Sequence, residues 1–149
     1  MSVVAPKLTL ERRLLSECDL IISLDEVGRG ALAGPVAVGA AVMDAAGARR
    51  RVPEGLRDSK LVTERRRPGV AARAAAWVQA SGVGWASAAE VDSVGIMRAL
   101  GLAASRAVQS VVDSGVVLDG ALVLLRQSRL RLARASGSAA RAARGQRRP

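Results

Sequence analysis

Three carboxylates occupy positions where a folded backbone can bring them together. Asp25 and Glu26 follow the apolar run Leu20-Ile-Ile-Ser-Leu24, and Asp119 follows Val116-Val117-Leu118. Short runs rich in β-branched residues read as buried strands. Carboxylates at the ends of neighbouring strands converge at one edge of an α/β sheet. The chain has no histidine and a single cysteine, Cys18. Such a cluster would therefore hold a hard cation on oxygen ligands, Mg2+ or Mn2+. The lack of histidine also excludes Ser-His-Asp hydrolysis, histidine-ligated zinc and an imidazole proton shuttle. Adjacent strand residues face opposite ways, so Asp25 and Glu26 reach one ion only if the chain bends after Asp25. Gly28 and Gly30 permit a bend, and they let a phosphate approach main-chain N–H groups with Arg29 between them as a charged clamp.

The elements that must carry these residues alternate. The spacing predicts a strand over 19–25, a second over 36–43 paired to it, and a loop over 44–57. Thr63 is a candidate helix cap, but Pro68-Gly69 interrupts that pattern. An alanine-rich helix follows over 70–80, then a strand over 83–86. An amphipathic helix runs from Asp92 or Ser93 to about Val112, marked by Ile96, Leu100, Ala103, Ala107 and Val111. A last strand covers Val116 to Leu118. This order is an α/β pattern. Glu90 and Asp92 read as acids favouring a helix start, Trp77 and Trp85 as core anchors, and Cys18 as a small buried hydrophobe.

Composition sets the outer limits. With 149 residues, half of them apolar, the chain can bury one modest core, built from Ala, Val and Leu because its only aromatic residues are two tryptophans. The formal charge of +10 is unevenly spread: residues 121–149 hold eight arginines and no acid, and the rest is nearly neutral. One cysteine forms no internal disulfide, which points to a reduced, cytoplasmic setting. No apolar run is long enough to span a membrane, no hydrophobic signal core opens the chain, and no obligate protein partner is evident.

The string LDEVGRGALAGPVAVGAAV closely resembles the signature of type 2 ribonuclease H, ribonuclease HII, whose pattern is DEVGRG followed by LAGPV. Three further blocks agree in order: GLRDSKLVTERRR, VGWASAAEVDSVGIMRALGLAASRAV and VVLDG. The resemblance covers residues 20–120. It implies a ribonuclease-H-like mixed sheet flanked by helices, and a divalent-metal endonuclease that cuts the RNA strand of RNA–DNA hybrids to leave 5′-phosphate ends. Asp25, Glu26 and Asp119 match three metal-binding carboxylates of the family. Gly28, Arg29 and Gly30 match its loop that senses the ribose 2′-hydroxyl. The implied chemistry is two-metal hydrolysis, with ions about 3.5–4 Å apart. Arg57, Ser59 and Lys60 sit on a loop as phosphate contacts or as solvated residues.

The resemblance divides the chain into an N-terminal lead-in (1–18), an incomplete catalytic domain (19–120) and a basic tail (121–149). After Gly120 the family pattern calls for a further strand, helices and a fourth catalytic carboxylate, but no Asp or Glu follows Asp119. The tail reads as off-frame sequence, or alternatively as a basic nucleic-acid-binding arm in which Leu122, Leu125, Arg126 and Arg129 make a helical turn or two. The corresponding expectations are exposed apolar surface, low stability and weak activity, or an inactive basic fragment that binds nucleic acid.

Overall fold

In the computed structural model, the described residues are 6–31, 33–118, 120–125 and 133–134. A short helix α1 (Thr9–Leu14) leads into strand β1 (Leu20–Val27), followed by β2 (Val36–Asp44) and helix α2 (Ala45–Arg49). Two 3-10 turns, Ser59–Leu61 and Glu64–Arg66, precede α3 (Arg67–Trp77) and β3 (Ala80–Ala86). Helices α4 (Ala88–Val94) and α5 (Ile96–Asp113) come next, then β4 (Leu122–Leu125) and β5 (Ala133–Arg134). The strands form one mixed sheet in the order β3-β2-β1-β4-β5. β1 is antiparallel to β2 and parallel to β4. The architecture is the expected α/β mixed sheet with flanking helices.

The core lies between α5 and one face of the sheet. That face presents Ile22 and Leu24 of β1 and Val36, Val38, Ala40 and Val42 of β2. Against them α5 lays Ala99, Ala103, Ala107 and Val111, each fully buried and four residues apart, the spacing that aligns one helix face. Small residues make this contact close. A β-carbon at Gly84 would collide with the backbone of Ala103 and Ala107, and one at Gly82 would lie 2.7 Å from the Ala107 carbonyl oxygen. Alternate positions of β3 are therefore stripped to glycine so that an alanine-faced helix can sit directly on them. A second, smaller cluster of Leu8, Met43, Ala48 and Trp77 closes the region around α1 and α2.

Several expectations change. Pro68 and Gly69 do not interrupt a helix; they open α3, where the missing proline N–H has no helical partner to lose. The predicted loop over 44–57 contains α2, because Asp44 caps it by accepting from the Gly47 N–H at 2.6 Å. The single helix from Asp92 is two helices. Ser87 and Glu90 form a reciprocal capping box that starts α4, and Gly95, at φ 81°, separates it from α5. Val116 to Leu118 form no strand. The strand in this region is β4, so Leu122 and Leu125 are in a strand and not in the helical turn expected of them; Arg126 and Arg129, read as part of the same turn, lie outside the described residues. Trp77 is buried as predicted, but Trp85 is 59% exposed. Trp85 lies on the far face of β3, because the Gly82–Gly84 face is reserved for α5. Cys18 is half-buried rather than buried; its thiol donates to the Leu14 carbonyl, and burial together with nearby Asp19 pushes its pKa up.

Candidate functional site

β1 carries Asp25 and Glu26 as predicted, but it does not end at Asp25. Its register with β2 continues through Asp25↔Gly39, Glu26↔Val38 and Val27↔Ala37. The two carboxylates therefore leave the strand on opposite faces. Glu26 shares the face of Leu24 and Ile22, on the α5 side. Asp25 lies on the other face with Ser23, Gly39 and Val83, and it is exposed. The bend expected after Asp25 occurs later, beyond Val27.

That bend is built from the glycines. Gly28 has φ 96°, and a β-carbon there would stand 2.8 Å from the Pro35 carbonyl oxygen. Its own carbonyl accepts from the Ala31 N–H at 3.0 Å, closing a tight turn. Position 28 thus admits only glycine without strain. Gly30 has open space around it. Arg29, between them, turns back to Glu26, with Nη1 3.4 Å from Oε1. The Glu26 side chain is 17% exposed and that of Arg29 49%. The pair is long and partly solvated, so it orients both groups without binding them tightly. Asp25 Oδ1 accepts from the Glu26 N–H at 3.2 Å.

Asp119, the third predicted ligand, lies outside the described residues. Among the described residues, no group of three or more carboxylate, histidine or cysteine side chains gathers to hold a metal. The donor chemistry at Asp25 and Glu26 suits a hard cation, since both offer only carboxylate oxygens. Arg57, Ser59 and Lys60 lie on the long excursion between β2 and β3, not on the sheet. β2 leaves the sheet at Asp44, opposite Leu20 and away from Asp25, and the chain returns at Ala80, opposite Val42. Asp58 caps the turn that carries Ser59 and Lys60 by accepting from the Lys60 N–H at 3.0 Å, and both side chains are exposed. Glu90 does serve a helix start, as predicted, and also pairs with Arg106, which sequence reasoning missed.

A family model described as ribonuclease HII matches residues 22–135. The chain belongs to the ribonuclease HII family. The ribonuclease HII of Streptomyces avermitilis is 45% identical over 119 residues, covering 77% of this chain and 49% of its own length. That of Parasynechococcus marenigrum is 44% identical over 110 residues, covering 70% of this chain and 47% of its own. The chain spans about half the length of the curated relatives it matches. A crystal structure of a glutamine-to-alanine mutant of Bst-RNase HIII shares the fold at a TM-score of 0.54 and 18% identity, over 99% of this chain and 47% of that one. Within the ribonuclease HII match fall Asp25, Glu26, the Gly28–Gly30 turn, Arg57, Ser59, Lys60 and Asp119. No described helix is long and apolar enough to cross a membrane.

Proposed function

We propose that this chain is an endonuclease that hydrolyses the RNA strand of RNA–DNA hybrids, including single ribonucleotides within DNA, to leave 5′-phosphate ends. The ribonuclease HII match across residues 22–135 carries this reading. The glycine turn that follows the end of β1, starting two residues after Glu26, supports it. Asp25, Glu26 and Asp119 are the proposed ligands of Mn2+ or Mg2+. Bound divalent ions would supply an activated water and charge stabilisation at the leaving oxygen. Asp25 offers its oxygens from the exposed sheet face, and Glu26 is held beside the turn by Arg29. The Gly28–Gly30 turn brings main-chain atoms and a half-exposed guanidinium close to a bound ribose and its phosphate. Arg57, Ser59 and Lys60 are proposed phosphate contacts, and the proposed setting is cytoplasmic, with no membrane or obligate protein partner.

The test is cleavage of a duplex carrying one ribonucleotide, with Mg2+ or Mn2+ added and then chelated. Metal-dependent cutting is expected, and Asp25→Asn should lose it by at least about 100-fold, beyond the usual cost of disturbing a group behind a metal ligand. Hybrid binding by the variant should persist. Cutting that survives chelation or Asp25→Asn would refute the assignment. A second reading, an inactive basic fragment that binds nucleic acid, draws on the opposed faces of Asp25 and Glu26; it predicts hybrid binding with no cutting by the unaltered chain.

A further inference from the structure

The stretch leading from α2 folds against the start of α3 around a cleft of about 310 Å3. Its lining includes Arg57, Arg65, Arg66 and Arg73, with Glu54 as its one carboxylate. Four guanidinium groups against one acid leave a cationic hollow. None of these four arginines is in an ion pair among the described residues. Arg57 carries a further sign: its Nε is buried and donates to nothing. A guanidinium N–H removed from solvent calls for an acceptor, preferably an anionic one. Arg73 is anchored by its Nε, which donates to the Glu54 carbonyl at 3.2 Å. Its two remaining nitrogens stand near the glycines: a β-carbon at Gly69 or Gly55 would come within 3.5 Å of one of them. α3 begins at the same place with no side chain capping its first turn, so its free N–H groups add partial positive charge.

We propose that this cleft binds a phosphate group, held by Arg57, Arg65, Arg66 and Arg73. The planar fork of a guanidinium matches phosphate oxygens two at a time, and several forks around one hollow suit the multiply coordinated anion better than a carboxylate. The phosphate belongs either to the backbone of a nucleic-acid duplex or to a free phosphate or nucleotide. Assignment to the backbone rests on the proposed function; phosphate recognition itself does not. The backbone source makes the cleft an anchor for the duplex built from residues other than Asp25 and Glu26.

The experiment uses the full 149-residue chain labelled with 15N and titrated with inorganic phosphate. The Arg57 Nε–H signal should shift and saturate, and the shift should vanish in an Arg65→Gln/Arg66→Gln variant that keeps Arg57 as the reporter. No saturating shift in the unaltered chain would overturn the proposal, whether or not the variant folds. Binding of a labelled RNA–DNA hybrid is then followed against salt. A backbone phosphate predicts that the variant loses about one unit of salt slope, while Arg13→Gln/Arg98→Gln, an equal charge change on α1 and α5 outside the cleft, does not. A saturating phosphate shift with an unchanged salt slope assigns the cleft to a free phosphate or nucleotide. A failed nuclease assay leaves the phosphate titration intact, so the two proposals fail separately.

Discussion

Arg106 of α5 clasps Glu90 of α4 at two points, with Nη2 2.6 Å from Oε1 and Nη1 3.0 Å from Oε2. The same Nη1 donates to the Trp85 carbonyl at 2.7 Å, and Glu90 Oε2 also accepts from the Ser87 N–H. One acid thus ties the end of β3, the start of α4 and the middle of α5.

The Arg106 guanidinium, followed by the Ser87 N–H, holds the Glu90 carboxyl down at about 2. A depressed folded pKa stabilises the fold above the ordinary carboxyl value of 4.5, and that contribution drains away as pH falls toward 2. Glu90→Gln keeps an oxygen for the cap but removes the charge. Its melting temperature should fall relative to the unaltered chain at pH 7, with the gap closing by about pH 2. Thermal melts across that range check this, and added salt should narrow the neutral-pH gap because the pair is exposed.

The contact between β3 and α5 sets opposite outcomes for two glycines. Gly84→Ala forces a β-carbon into the backbone of Ala103 and Ala107, and should cost about 1–3 kcal/mol or more. Gly101→Ala, within α5, meets nothing within 4 Å and should stabilise by roughly 0.5–1 kcal/mol as glycine leaves a helix. Urea unfolding of both variants checks the pair. Equal effects would mean that the helix does not lie against β3 at Gly84.

The sheet face opposite α5 carries Val27, Val83 and Trp85, which are 72%, 56% and 59% exposed. Register places Val27 and Trp85 in one row across Ala37. Trp85→Ser should reduce binding of a hydrophobic dye and slow aggregation, while stability changes by about 0.5 kcal/mol at most, as for other exposed positions. Light scattering and dye fluorescence measure the first effect and a urea melt the second. A large loss of stability would mean that the tryptophan is packed after all.

The strand bearing the carboxylates was legible because Ile21 and Ile22 flank it with β-branched bulk, and the α5 stripe because its apolar residues recur at helical spacing. The split at Gly95 was less visible, since the apolar rhythm of α5 obscures where it starts; the Ser87-x-x-Glu90 spacing was the signal for the earlier helix. Trp85 misled because large apolar residues ordinarily face the core. Here the core face of β3 has room only for glycine and alanine, which sends the bulky side chain outward. The opposed faces of Asp25 and Glu26 follow from strand period alone. That β1 stays regular through Val27 depends on pairing with β2, which local sequence does not encode.

β1 gains its two edges at very different entropic cost. Its pairing with β2 closes a short hairpin, Val27 against Ala37, whereas its pairing with β4 joins Ile21 to Leu122, roughly a hundred residues away. Closing so long a loop sacrifices more chain freedom than any other contact β1 makes in the sheet. Changes that loosen the intervening meander or α5 therefore reach the Asp25 strand first through its β4 edge, while the hairpin edge persists.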